Sequence, residues 1–412
     1  SYLGGPDRNH YSSLTQINVD NVSELEVAWT YHSNDHRGDN RSEMQANPII
    51  VDGVLYSTTP GIKAIALEAA TGKQIWSFDP FPNYDSLKRP QARQRGVVYW
   101  ESDQDRRILF TAGKYLYGLN ARDGKPIPEF GINGKVDLRI GIERDTADLF
   151  VRSRTPGAVF QDLLILGTMV PDGTLASPPG HIRAFDIRTG ELKWTFHTIP
   201  HPGEYGYETW PEDAYTYAGG ANAWTGIALD EDRGIVYLPT GSPAFDFWGG
   251  NRKGENLYGN SLIALDARTG ERIWHFQVVK HDLWDRDLPA PPNLVTLNRN
   301  GETVDAVAQI TKTGHIFVFD RETGESLFPL EEKNYPPSDL RGEEAWPTQV
   351  FPTVPKPFSR QHYGEEVYPD LSEETHQYVL KRLEGVKQGG QYIPPTTGGV
   401  VIFPGFDGGG EW

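Results

Sequence analysis

Residues 262–276 read LIALDARTGERIWHF. An apolar run, Ile263-Ala264-Leu265, breaks at Asp266; a turn closes on Gly270; a second run carries Ile273 and Trp274. This is the pattern of two strands joined by a tight turn, with glycine where the backbone needs positive φ. The phrase recurs as AIALEAATGKQIWSF (64–78), LYGLNARDGKPIPEF (116–130), IRAFDIRTGELKWTF (182–196) and IFVFDRETGESLFPL (316–330). Each copy predicts a strand, a turn and a second strand. Three copies place a tryptophan four residues after the turn glycine: Trp76, Trp194 and Trp274. One hairpin cannot bury its own apolar face, so the copies must stack, and sheets stacked radially make a β-propeller. The indoles then serve as core between blades. The predicted fold class is all-β, built of four-stranded antiparallel blades with tryptophan-type repeats.

The rest of the chain is read against this repeat. LEVAWTY (25–31) predicts a strand without a turn partner, the kind of orphan a propeller uses to complete its last blade. ANPIIVDGVLYSTT (46–59) and RRILFTAGKYLYGLN (106–120) each predict paired strands. Gly/Pro-rich excursions at 79–100, 197–226 and 243–260 are long loops of the kind that carry function on a rigid scaffold. Residues 331–395 break the rhythm and read as a partly helical insertion. Within it, LSEETHQYVLKRLEGVKQGG (371–390) predicts a short helix capped by Ser372 and stopped at Gly389, with Val379, Leu380, Leu383 and Val386 on one side. TTGGVVIFPGFDGGGEW (396–412) opens a further strand. With about five repeats, the expectation is one propeller domain over 1–412, incomplete at its C-terminal end, with the remaining blades in chain beyond residue 412 or in a separate polypeptide. The opening SYLGG, without an initiator Met, reads as a processed or trimmed N-terminus.

Composition excludes several classes. Lys and Arg number 39 against 56 Asp and Glu, a formal net charge of −17, which argues against nucleic acid or an anionic membrane surface as main partner. There is no cysteine, hence no disulfide and no thiolate metal site. No apolar run is long enough to span a bilayer. No G-x-G-x-x-G follows a strand and opens a helix, and no G-x-S-x-G elbow occurs.

The densest ionisable cluster is VVKHDLWDRDLPAPP (278–292). In extended chain Asp285 and Asp287 point the same way, and converging carboxylates repel unless a cation or a proton lies between them. That reading suits a hard ion; a loop network of ion pairs explains the spacing equally. Lys312, in the turn of QITKTGHIFVFD (309–320), reads as a solvated lysine. In GGANAW (219–224) the small residues beside Trp224 either admit a flat group onto the indole or simply pack it. Arg95 in RQRGVVYW (93–100) is a candidate carboxylate clamp. His197 and His201 have helix-like spacing, but Pro200 and Pro202 forbid a helix there, which counts against zinc.

Together, KHDLWDRDLPAPP (280–292), TKTGHIFVFDRETGE (311–325) and WGGNR (248–252) resemble segments of the pyrroloquinoline quinone (PQQ)-dependent dehydrogenases, in particular the membrane-bound glucose dehydrogenase-type branch. The resemblance covers essentially the whole chain. It implies an eight-bladed propeller that oxidises a sugar or alcohol hydroxyl in the periplasm. PQQ and Ca²⁺, or a lanthanide, would be the cofactors, and a cytochrome c or ubiquinone would take the electrons. By position, Asp285 would be the catalytic base and Lys312 would bond the quinone oxygens. Trp224 would be the floor under the cofactor, and Arg95 and Thr155 would hold its edge. Where methanol dehydrogenase-like members carry adjacent cysteines, this chain has Arg89-Pro90, leaving Gln91 or its neighbours to cover the other face. The metal shell would draw on Asp172, Asp285 and Asp287, with Ser242 standing where alcohol dehydrogenase-like relatives place an asparagine. Two competing classes are a propeller scaffold for protein binding and a carbohydrate hydrolase. A scaffold has no reason to keep HDLWDRD, TKTG and GGANAW together.

Overall fold

The computed structural model of the chain describes residues 2–36, 39, 42–84, 93–174, 176–299, 301–405 and 409–410. Among these, strands Ile49–Val51, Val54–Thr58, Ala64–Glu68 and Gln74–Phe78 form a first antiparallel sheet in simple up-and-down order. Val98–Ser102, Asp105–Ala112, Tyr115–Asn120 and Lys135–Asp137 form a second. Ala158–Phe160, Leu163–Leu166, Ile182–Asp186 and Leu192–Phe196 form a third, and Ala228–Asp230, Ile235–Pro239, Ser261–Asp266 and Arg272–Gln277 a fourth. A fifth has three strands, Asn293–Arg299, Glu302–Ile310 and Ile316–Asp320. The faces of successive sheets bury one another. Trp76 and Tyr56 lie in one core with Ile108 and Phe110 of the second sheet, and Tyr237 and Trp274 lie in another with Phe317 and Phe319 of the fifth.

The repeat is explained by contact between sheets. Each tryptophan faces a fully buried alanine on its neighbouring strand: Ala66 opposite Trp76, Ala184 opposite Trp194, Ala264 opposite Trp274. The indole then reaches the turn of the next sheet. Trp76 Nε1 donates to Ala121 O at 2.9 Å, Trp194 to Ala267 O at 3.3 Å and Trp274 to Arg321 O at 2.9 Å. Their rings lie against Gly124, Gly270 and Gly324, where a Cβ would fall 2.5–2.6 Å from ring carbon. The turn glycine therefore makes room for a neighbour's indole as well as supplying the turn. The acidic residue caps the same turn: Asp266 Oδ1 accepts the N–H groups of Arg268 and Thr269 at 2.7 and 3.1 Å.

Four sequence expectations fail here, one of them the strand expected at 396–412, whose described residues reach only the isolated bridge Lys387–Val400. In two of the five copies the second strand does not form after the turn. Against their own first strands PIPEF and SLFPL make only isolated bridges, Leu119–Pro126 and Phe319–Ser326, because proline has no N–H to give the ladder, and Leu330 instead starts a strand paired with Thr348–Pro352. Residues 25–31 form no strand, because no ladder partner lies beside them among the described residues. Trp29 nevertheless docks as the other indoles do, with its Nε1 on Ala69 O at 3.1 Å and its ring against Gly72. The helix is Glu373–Leu383, capped by the Ser372 hydroxyl on Thr375 N, and it ends before Gly385 rather than at Gly389 because Gly385, at φ 76°, has already left helical geometry. No residue of that helix is buried, so its apolar side covers no core.

One topological consequence positions everything that follows. In an up-and-down sheet, the segment entering the first strand and the connection between the second and third strands lie at the same end. Arg95, Thr155, Trp224 and Asp285–Asp287 all lie on entering segments, of the second, third, fourth and fifth sheets. Asp172, Ser242 and Lys312 all lie on second-to-third connections, of the third, fourth and fifth.

Candidate active site

That shared end encloses a cavity. Arg95, Asp172, Trp224, Ser242, Asp285, Asp287 and Lys312 line it, together with Arg154, Asn222 and Asp246, which sequence reasoning missed. Thr155 lies just beneath, its hydroxyl donating to Trp224 O at 2.6 Å. Gln91 falls outside the described residues.

Lys312 is buried, not solvated as its turn position suggested, because it neutralises two carboxylates. Its ammonium donates to Asp285 Oδ2 at 3.1 Å and to Asp287 Oδ2 at 3.4 Å. Burial pulls the ammonium toward neutrality, but Asp287 and Asp285 outweigh it and hold the charge. The two aspartates do not meet as neighbours on an extended strand. Asp285 is left-handed, with φ 54°, in an irregular loop, and the carboxylates converge because both reach Lys312.

Their environments differ. Burial works against the Asp287 carboxylate, yet Lys312, the N–H of Ser242 at 2.6 Å and the indole N–H of Trp224 at 3.0 Å hold it ionised, below the usual range. Asp285 has only Lys312, and burial plus the Asp287 charge push it well up. One carboxylate is a fixed anion, and the other keeps its proton until a positive charge relieves the repulsion.

Trp224 is fixed from both sides. Its indole N–H is on Asp287, its carbonyl accepts from Arg95 Nη1 at 3.0 Å, and the Arg95 guanidinium lies 5.2 Å from the ring. Gly219 and Gly220 beside it leave no room for a Cβ: Ser177 O would lie at 2.2 Å and Ser242 O at 2.5 Å. Packing of backbone therefore accounts for the small residues in GGANAW, while Trp224 still lines the cavity.

The loop carrying the aspartates is braced from behind. Asp282, fully buried, accepts the N–H groups of Trp284 at 2.8 Å and Arg286 at 2.6 Å, Asn260 Nδ2 at 2.8 Å, and the Ser242 hydroxyl. Ser242 thus spends its hydroxyl on Asp282 and its N–H on Asp287, and a donor set of that kind offers a cation little. His281 is clamped between Gly254 O at 2.7 Å and Glu343 Oε1 at 2.9 Å. Glu343 comes from the 331–395 segment, which no local pattern could connect to this loop.

The residues fit both a hard cation and a flat acidic cofactor. Asp172, Asp246, Asp285 and Asp287 present oxygen ligands to one cavity, and Asp246 Oδ1 is buried with no hydrogen-bond partner. The indole supplies a flat wall, and Arg95 and Arg154 supply positive charge at its edge. By contrast, His197 and His201 do come together, with His181, without any helix. Their rings are stacked 3.9 Å apart at 9°, and parallel rings cannot both aim an in-plane lone pair at one ion.

Comparison with known proteins places the chain. The profile of the PQQ glucose/ethanol/alcohol dehydrogenase β-propeller domain matches residues 1–412. The chain belongs to that family. It is 32% identical to quinoprotein glucose dehydrogenase of Escherichia coli over 100% of this chain and 53% of that protein. It is 33% identical to quinoprotein glucose dehydrogenase A of Acinetobacter calcoaceticus over 98% of this chain and 53% of that protein. Among solved structures, the quinohemoprotein alcohol dehydrogenase of Comamonas testosteroni superposes with a TM-score of 0.66 at 25% identity, covering 84% of this chain and 50% of that one. The chain spans about half the length of the curated relatives it matches. The sheets described above are blades of a propeller. No helix among the described residues is long and apolar enough to cross a membrane.

Proposed function

We propose that this chain forms the catalytic part of a PQQ-dependent dehydrogenase that oxidises a sugar or alcohol hydroxyl in the periplasm. The observation that carries the reading is the convergence of Trp224, Asp285, Asp287 and Lys312 on one cavity, with a base held apart from a fixed anion. An eight-bladed closure, with one domain running through 1–412 and its partly helical insertion at 331–395, accompanies the reading. So does electron delivery to a cytochrome c or ubiquinone.

Bound PQQ would supply the two-electron acceptor that no side chain can provide. The residues would do the rest. Trp224 would hold the flat ring by stacking, and Arg95, braced by Thr155 at 3.1 Å, would meet its carboxylates. A Ca²⁺ or lanthanide ion would sit among Asp172, Asp285 and Asp287, relieving the repulsion that keeps Asp285 protonated. Asp285 would then accept the proton of the substrate hydroxyl. Lys312 would stabilise negative charge developing on an oxygen beside it.

The test is spectroscopic and kinetic. Adding PQQ and Ca²⁺ to the purified protein should produce a bound-quinone absorbance and dye reduction with aldoses, polyols or alcohols. Asp285→Asn should keep the absorbance and lose turnover by about two or more orders of magnitude, the scale of general-base catalysis. Near-normal turnover in the loaded variant would refute the role of Asp285.

A further inference from the structure

The structure assigns Asp246 as an additional ligand of the cation at this site, an inference that rests on the proposed function. Its carboxylate is buried without the donors that its neighbours Asp282 and Asp287 have. Asp282 accepts one donor at Oδ1 and three at Oδ2, and Asp287 is met by Ser242, Trp224 and Lys312. Asp246 is 8% exposed, lines the cavity, and leaves Oδ1 buried with no donor. Burying a carboxylate without partners is costly, and a fold retains one where something outside the chain completes it.

The backbone leading to Asp246 is also held in place. Pro243–Ala244 pairs with Gly219–Gly220, and Phe245 O accepts Arg252 Nη2 at 2.8 Å. Arg252 is the cation nearest in effect, but its two Nη atoms are committed to Phe245 O, Asp282 O and Asn256 Oδ1. Burial, followed by the charges of Asp287, Asp172 and Asp282, pushes Asp246 up to about 8. The charges that make it a poor lone anion are the other carboxylates of the same cavity. A single hard ion placed among them satisfies the orphan oxygen and removes the repulsion together.

The experiment measures ion binding without turnover. Ca²⁺ affinity is read by calorimetry. Tb³⁺ affinity and the number of waters on the ion are read from tryptophan-sensitised luminescence and its lifetimes in H₂O and D₂O. Wild type is compared with Asp246→Asn and Asp246→Ala. The expected result is a loss of affinity of about tenfold or more in Asp246→Ala, with one further water on the ion and a smaller loss in Asp246→Asn, whose amide oxygen can still ligate. PQQ quenching of tryptophan fluorescence should persist in both variants, showing that the pocket is intact. Equal affinity in all three proteins would overturn the assignment alone. Equal losses in both variants with an unchanged water count would also overturn it, since that is the signature of a distant charge. Absence of Ca²⁺ and Tb³⁺ binding in wild type would instead overturn the function proposed above, and this assignment with it.

Discussion

Replacing Gly270 with alanine isolates what holds neighbouring blades together. Gly270 has φ 76°, and Gly53 has φ 76° as well. An alanine at either position pays the left-handed backbone cost, about 1–2 kcal/mol. A Cβ at Gly53 would meet no atom of a non-neighbouring residue within 4 Å, so the cost should end there. At Gly270 the new Cβ falls 2.5 Å from Trp194 Cε3 and 2.7 Å from its Cδ2, where carbon atoms prefer about 3.5–4.0 Å. The indole must retreat by about 1 Å to restore contact distance. Its hydrogen bond to Ala267 O, already 3.3 Å long, then breaks, at about 1 kcal/mol. Overpacking adds about 1–3 kcal/mol. Gly270→Ala should therefore cost about 3–6 kcal/mol, against 1–2 for Gly53→Ala. Thermal unfolding followed by tryptophan fluorescence compares them directly. In a Trp194→Ala background the clash is absent, so Gly270→Ala should cost no more than Gly53→Ala. Equal shifts of Gly270→Ala and Gly53→Ala in the wild-type background would refute indole docking as the link between blades.

Other expectations follow from buried charge. Burial, with Arg272 nearby, lowers His275 to about 4, and burial lowers His315 to about 4. Both folded values lie below the unfolded value of about 6.5, so the folded state binds fewer protons. Their contribution is intact above pH ~6.5 and is lost as pH falls toward 4, by about 2 kcal/mol each at pH ~5. His275→Gln should flatten the fall of unfolding temperature with acid, and an unchanged pH profile would count against the burial argument. Glu343→Gln breaks a pair in which His281 and Glu343 are 0% and 1% exposed, and should cost about 3–5 kcal/mol. Glu344→Gln, in an exposed pair with Lys253, should cost under about 1 kcal/mol. Comparable losses from the two would show that the 331–395 segment does not brace the catalytic loop.

The repeat, the strands and the glycine turns could be read from residue order, because a hairpin is local: strand alternation, a capping acid and a turn glycine all fall within fifteen residues of each other. Prolines in two copies also stood in plain view, and their failure to extend the ladder is equally local. The candidate site was recognisable through its resemblance to a family, and not through spacing. Lys312 read as solvated until two aspartates from another segment closed over it.

What the order of residues could not decide is which end of each blade a loop occupies and what meets it there. Asp246 carries no pattern in sequence; only its lack of donors in the folded chain sets it apart. Glu343 and His281 lie 62 positions apart, and nothing local joins them. Stacking the blades brings their entering segments and inner connections to one end, and that convergence turns scattered aspartates, a lysine and an indole into a single cavity.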